Sequence, residues 1–424
     1  MNIKYKIFFS LFLVSFSSVI LLAYSQDKFN LRPGAKGKLC MNCHETFQEK
    51  ISSPFVHTPV RTGECSGCHN PHASSHGKML SEDTNKICFT CHKEIIPDKP
   101  LSTHKVVAEG NCVKCHDPHG SSNKFNLLKS GNELCFGCHK DIEDGVKQVK
   151  FKHTPVEKSC LNCHNPHASA KNEFLLKDEV PIVCLKCHKT DKPAFAKQHM
   201  NFPVGKARCT TCHNPHGSDK AALLLTNVHK PVASRMCNQC HDSSDPKNPF
   251  KTKNEGSDLC KTCHNELVNE IQSKKNIHPA LEVDSGCLNC HSAHASTQRA
   301  LLKGNSLFDV CGKCHADVIA RQDKFPTKHP PVKDGDCIAC HSPHATDTEH
   351  LAQQLSVIAL CGSCHDWKGH VSHPMGDNVP DPRDKTRTVN CLSCHKAHGT
   401  EYKRMLLFPT TVELCTLCHV KYQR

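Results

Sequence analysis

The chain carries 32 cysteines in 424 residues, and every one belongs to a Cys-x-x-Cys-His motif, of which there are sixteen. They run as Cys40, Cys43 and His44; Cys65, Cys68 and His69; Cys88, Cys91 and His92; Cys112, Cys115 and His116. The next are Cys135, Cys138 and His139; Cys160, Cys163 and His164; Cys184, Cys187 and His188; Cys209, Cys212 and His213. Then come Cys237, Cys240 and His241; Cys260, Cys263 and His264; Cys287, Cys290 and His291; Cys311, Cys314 and His315. The last four are Cys337, Cys340 and His341; Cys361, Cys364 and His365; Cys391, Cys394 and His395; Cys415, Cys418 and His419. A chain punctuated every 23 to 30 residues has no room for long helices or wide sheets.

Paired cysteines serve disulfides, zinc or covalent haem. A disulfide framework gives no reason for a histidine directly after the second cysteine every time, and a zinc ribbon likewise needs only the pairs. Haem c uses all three residues. The thiols add to the two vinyl groups of one porphyrin, and the adjacent imidazole becomes the proximal iron ligand. The sequence therefore predicts sixteen covalent haems c.

Eighteen of the 34 histidines lie outside the motifs. One set follows a motif by three residues, as in CSGCHNPHAS: His72, His119, His167, His216, His294, His344 and His398. Projecting from the same short segment as a proximal histidine, it cannot readily reach the same iron. Another set precedes a motif in His-x-Pro-Val or a relative: His57, His104, His153, His199, His278, His329 and His373, with His229 fitting the same pattern. Fifteen histidines at repeated offsets are expected as distal iron ligands, with His76, His350 and His370 as spare candidates for the sixteenth. Which histidine reaches which haem is left open. Only seven methionines occur and none recurs at a ligand offset, so His/Met ligation is not expected to be general and low potentials follow.

A longer repeat underlies the motifs. LCFGCHKDIEDGVKQVKFKHTPVEKSCLNCHNPHAS, from Leu134, aligns with VCGKCHADVIARQDKFPTKHPPVKDGDCIACHSPHAT, from Val310. Each unit carries two motifs, so an array stacked unit on unit is expected. With 37% hydrophobic residues, one Trp and four Tyr, side chains are too few to fill ordinary cores, and the porphyrins must supply the apolar interior. The expected fold is mainly irregular with short α-helices, an elongated repeat array around a chain of stacked haems, and little or no β-sheet. Motif phase and the Pro-, Asn- and charge-rich run after Asp242 suggest a nine-haem module at 26–243, a linker at 244–256 and a seven-haem module at 257–424.

Residues 1–25 read as a cleaved signal peptide, with Lys4 and Lys6 before an apolar run and Ala23-Tyr24-Ser25 at its end. Export to the periplasm is expected, with an extracellular location as the alternative. The formal charge of +13 would suggest anionic partners, but each ferric bis-histidine haem with two propionates adds −1. Sixteen bring the total to −3, and sixteen ferrous haems to −19. Without aromatic interleaving for base stacking, nucleic acid is not an expected partner. No stable membrane insertion is expected after cleavage.

With its Cys-x-x-Cys-His-x-Pro-His elements and the paired Leu-Cys-x-x-Cys-His that follow, the chain resembles the doubled-CXXCH family of multihaem c-type cytochromes. The resemblance covers roughly residues 38–420, with Ala replacing Pro before His294 and His398. It implies an electron carrier, not an enzyme, in anaerobic or extracellular respiration. The redox partners it implies are quinol-oxidising cytochromes, outer-membrane conduit components or terminal reductases. Two other readings stay open: a multihaem oxidoreductase of the nitrite or hydroxylamine type, which needs a vacant iron position, and a polymerising extracellular filament, in which a neighbouring subunit completes a terminal haem.

Overall fold

The computed structural model describes residues 37–242, 247–283, 285–370 and 373–422. The expected signal peptide lies outside them, as do residues 244–246 of the expected linker. The chain divides by its own contacts into two compact units. One comprises Met1–Gln148 with Lys152–Val183, the other Val149–Phe151 with Cys184–Arg424.

Each attachment motif is one helical turn. In all sixteen, the histidine N–H donates to the carbonyl of the first cysteine at 2.9–3.1 Å. That turn brings residues i, i+3 and i+4 to one side, which is where two thiols and an imidazole must converge. The motifs differ in what precedes them. Those followed by a second histidine begin as isolated 3-10 turns, such as Cys112–Lys114 and Cys337–Ala339. Several of the others close a short α-helix, including Gly131–Phe136, Val357–Gly362 and Thr411–Thr416. The last of these is started by a reciprocal Thr410–Glu413 cap, which satisfies otherwise orphaned N–H groups. Three longer helices follow such motifs: Lys140–Gln148, Asn265–Ser273 and Ala316–Asp323. Each His-x-Pro-Val segment places its histidine at an extended N-cap with Pro in the first turn, as at Thr58–Arg61, Thr154–Lys158 and Lys230–Ala233. Pro is tolerated there because its missing N–H would have had no helical partner.

Among the described residues, sheet is confined to very small antiparallel pairs. In the first unit Phe55–Val56 pairs with Gly120–Ser121, and Ser102–Thr103 with Ala168–Ser169. In the second, Asn227–Val228 pairs with Ala295–Ser296, Asn276–Ile277 with Ala345–Thr346, and Thr327–Lys328 with Gly399–Thr400. A hairpin, Pro380–Asp381 with Asp384–Thr388, is the exception to this two-residue scheme. Every two-residue pair joins the strand before a His-x-Pro-Val histidine to the strand after a Cys-x-x-Cys-His-x-x-His histidine. The sheets are thus clasps between repeats.

The polypeptide buries little of itself. Among the described residues the buried apolar side chains are Val107, Val146, Ala168, Val268, Ala295, Ile358 and Val389, and none large is fully buried. Phe125 and Leu355 are more than four-fifths exposed. The expected short helices with little sheet are what the described residues show.

Candidate haem-binding ladder

Histidines that the sequence left unassigned fall into couples of opposed rings, with interplanar angles from 14° to 87°. In the first unit His57 faces His92, His119 faces His69, His104 faces His139 and His167 faces His116. In the second, His199 faces His213, His229 faces His264, His294 faces His241 and His278 faces His315. The remaining couples are His344 with His291, His329 with His365, His398 with His341 and His373 with His419. The ring centres stand 5.8–6.3 Å apart throughout. Some ring pairs come closer, at 4.3 Å for Phe195–His199 and 4.7 Å for Phe47–His119, while others such as His241–Phe250 also stand at 6.0 Å. Two metal–nitrogen bonds of about 2 Å, with about 1 Å from each nitrogen to its ring centre, place two imidazoles about 6 Å apart across a metal. The spacing therefore fits an iron held between each couple.

The couples obey two rules. A His-x-Pro-Val histidine faces the proximal histidine of the Leu-type motif that follows it, as His57 does His92. The second histidine of Cys-x-x-Cys-His-x-x-His faces the proximal histidine of the preceding motif of its own type, as His119 does His69. The rules are interlocked by the clasps: the His57 N–H donates to the His119 carbonyl at 2.9 Å, and His104 to His167, His229 to His294 and His278 to His344 likewise. Gly120 sits at such a crossing, where a Cβ would lie 2.7 Å from the Lys50 carbonyl oxygen. One couple breaks the rules. The Cys237 motif, CNQCHDSS, lacks the second histidine that would serve His213, and His199 serves it locally at 6.2 Å.

A second layer orients the rings. The Nδ1 of His69, His116, His164, His213, His241, His291, His341 and His395 each lies 2.7–2.9 Å from a carbonyl nine or ten residues on. As N–H donors they leave Nε2 with its lone pair free for a metal. Six of these carbonyls belong to non-glycine residues in the left-handed region: Lys78, Phe125, Ala222, Ala300, His350 and Arg404, with φ of 52–60°. Such conformations cost about 1–3 kcal/mol each and persist where the surroundings impose them. Among the distal rings, His57, His104 and His229 place Nδ1 by the carbonyls of Pro118, Pro166 and Ala293. His278 differs: its Nδ1 accepts the Ala280 N–H at 3.2 Å, and its ring meets His315 at 67°.

Burial holds the imidazoles of His119, His167, His213, His278, His294, His329, His344 and His398 below their ordinary pKa, which keeps them neutral near pH 7. His153 caps the Thr154–Lys158 helix, the His188 N–H closes its motif turn, and the His216 N–H donates to Asn214 Oδ1. Among the described residues no ring faces His44, His72 or His395. Of the spare histidines, His76 has Nδ1 2.8 Å from Asp83 Oδ1, which leaves its Nε2 available, and the His350 backbone carbonyl lies by His341 Nδ1. His370's side chain lies outside the described residues.

Consecutive motifs also touch through their cysteines. Burial and then a neighbouring first cysteine push Cys88 (beside Cys112), Cys135 (Cys160), Cys260 (Cys287) and Cys311 (Cys337) up to about 11. Cys361, beside Cys391, reaches about 12. Second cysteines lie beside one another in the alternate step: Cys68 and Cys91, Cys115 and Cys138, Cys290 and Cys314, Cys340 and Cys364, and Cys394 and Cys418. Within each unit, then, neighbours in sequence are neighbours in space. An apolar hollow of about 400 Å³ lined by Val412, Cys415, His419 and Tyr422 offers a porphyrin a bed at the Cys415 motif. Two converging cysteines, a tautomer-fixed imidazole and an opposing ring define a covalent haem c site, repeated along the chain.

Comparison with known proteins agrees. Eight stretches match the family described as Doubled CXXCH motif: residues 57–96, 104–144, 153–193, 199–228, 229–269, 278–320, 329–370 and 385–424. These cover well over half the chain, which belongs to this family: it is a multihaem c-type cytochrome with covalent haem. Among curated proteins it is 33% identical over 181 residues to the Multiheme cytochrome MtrA of Shewanella baltica (strain OS185). The match takes in 41% of this chain and 52% of that protein, so the chain spans about half the length of the relative it matches.

Proposed function

We propose that the chain carries sixteen haems c, most with two axial imidazoles, and relays electrons along them in the cell envelope during anaerobic or extracellular respiration. The supporting observation is the set of imidazole couples at 5.8–6.3 Å. Haem c supplies a one-electron ferric/ferrous couple. The protein's part is to hold it. An iron held between two imidazoles of the chain would have no position left for a substrate, which favours carrying electrons over catalysis. Carbonyl-bound Nδ1 atoms and interlocked clasps keep ligand positions fixed between redox states. Cysteine contacts between successive motifs keep neighbouring sites close enough for electrons to pass within each unit. Other redox proteins of the envelope are the partners this reading requires, and the leader at 1–25 supports export to the periplasm.

Intact mass and pyridine haemochrome absorbance of the mature protein test the count, with sixteen haems per chain expected. EPR of the ferric protein should be dominated by low-spin signals. A mass equal to the bare polypeptide, or a mainly high-spin spectrum, would end this reading.

A further inference from the structure

The last repeat departs from the others in one place. Elsewhere a His-x-Pro-Val histidine precedes the next motif by seven to ten residues, as His57 does Cys65 and His199 does Cys209, whereas His373 precedes Cys391 by eighteen. The added length folds as the hairpin Pro380–Asp381 with Asp384–Thr388. Its base is closed by the Val389 N–H on the Val379 carbonyl at 2.8 Å and the Gly376 N–H on the Val389 carbonyl at 3.1 Å. At its turn Asp381 is only 3% exposed and takes the guanidinium of Arg383 through Nε and Nη2. Burying a carboxylate costs free energy that a neutral turn would avoid, so the pair calls for a role beyond closing a loop.

The remaining arm of Arg383 reaches an attachment motif. Its Nη1 donates to the Ser393 carbonyl at 3.5 Å, and Ser393 lies between the two cysteines of CLSC. Its charge is felt at the second cysteines of the last two motifs, Cys418 and Cys394, which lie beside one another. Burial pushes the Cys394 thiol up, Arg383 draws it down, and Asp381 opposes Arg383 more weakly. The pair therefore presents its positive end to the junction between these two sites.

We infer that Arg383 is a redox-tuning residue for the last two haems, those attached through Cys391/Cys394 and Cys415/Cys418, and raises both potentials with a fixed positive charge. Reduction takes one electron from a redox neighbour and turns ferric iron ferrous, with no bond made or broken by Arg383. A nearby positive charge favours the state with the less positive iron. A guanidinium stays protonated throughout the working pH range, so the effect does not titrate away. Electrons in the second unit are thereby biased towards these two sites. The inference rests on the haem reading above; the effect acts through charge, whichever ligand faces His395.

The test is a spectroelectrochemical titration of the holoprotein at the reduced α-band, with intact mass for haem count and ferric EPR for ligation. In Asp381→Asn/Arg383→Gln, which keeps a neutral hydrogen-bonding pair at the turn, two haem equivalents should titrate at lower potential than in the wild type. Their ferrous-to-ferric ratio at a fixed potential should fall about threefold or more. Asp381→Asn alone leaves Arg383 unopposed and should move the same two equivalents upward. Arg387→Gln, on the same hairpin with its side chain 78% exposed, should match the wild type. A purely structural role would move the two Asp381 variants alike. Shifts of one sign in both, or curves that superimpose on the wild type, would overturn the inference while an unchanged haem count leaves the haem reading intact. A haem count near zero in the wild type would instead be a failure of that reading.

Discussion

His398 and His341 show what a single residue does in this protein. Their rings stand 6.1 Å apart, and His341 is aimed by its Nδ1 contact with the His350 carbonyl. Replacing His398 by Ala should open one iron. One more haem equivalent should bind carbon monoxide, and one low-spin EPR component should be lost, with the haem count unchanged. Asp381 and Arg383 make a different residue-scale device. The guanidinium bonds Asp381 through Nε and Nη2, at 2.9 and 2.5 Å, and holds its carboxyl down at about 2. Because the unfolded carboxyl titrates near about 4, this stabilisation is present above that pH and is lost as pH falls towards 2. Limited proteolysis at 376–390 should therefore accelerate between pH 4 and pH 2 in the wild type. In Arg383→Gln the acceleration should begin at higher pH.

At the scale of elements, the two-residue clasps matter more than the helices. Each one seats two distal histidines side by side, and small residues make the approach possible: Gly120, Ala168, Ala295 and Gly399 follow the second histidine, with Ala168 and Ala295 almost fully buried. Gly120→Val would press its side chain on the Lys50 and Phe55 carbonyls, at 2.7 and 3.0 Å from the Cβ alone. It should cost about 1–3 kcal/mol and lower the thermal midpoint of the holoprotein. Loosening of His57 and His119 should appear as perturbed EPR signals of two haems. The left-handed residues are a second recurrent element. Ala300, at φ 52°, aims His291 through a 2.7 Å contact with its carbonyl. Ala300→Gly should leave the ligand set unchanged by EPR, because glycine adopts that backbone without a steric penalty. Pro there should disrupt it, because its φ is fixed near −65°.

At the scale of the whole molecule, the shortage of apolar interior is the governing fact. Seven small buried apolar side chains cannot hold the described residues together. Folding free energy must come from the cofactors, as it does in small metal-dependent domains. Chain produced without haem attachment should lack cooperative thermal unfolding and give poorly dispersed amide NMR spectra, while the mature protein should show both properties of a folded state. If the apoprotein folds cooperatively, the porphyrins are not its core.

Much of this site could be read without coordinates. All sixteen attachment motifs and the fifteen repeated histidines are patterns of local sequence, because thiol addition and proximal ligation demand neighbours in the chain. The Pro-Val turns and the poverty of apolar residues already implied short helices around something other than side chains. Pairing was not readable, since a distal ring and its proximal partner belong to different repeats and only the clasps decide which two meet. His199 is the clearest case: its sequence pattern matches the other His-x-Pro-Val relatives, yet its ring lies 6.2 Å from that of His213, and the next motif, CNQCHDSS, has no second histidine. The carbonyls that aim the proximal rings were equally hidden, for they come from strained residues as different as Lys78, Phe125 and Ala300. Sequence by itself determined the chemistry of attachment, because that chemistry is local along the backbone. Tertiary structure alone decided which imidazoles meet across each site, because long-range clasps, not spacing, bring two rings to about 6 Å.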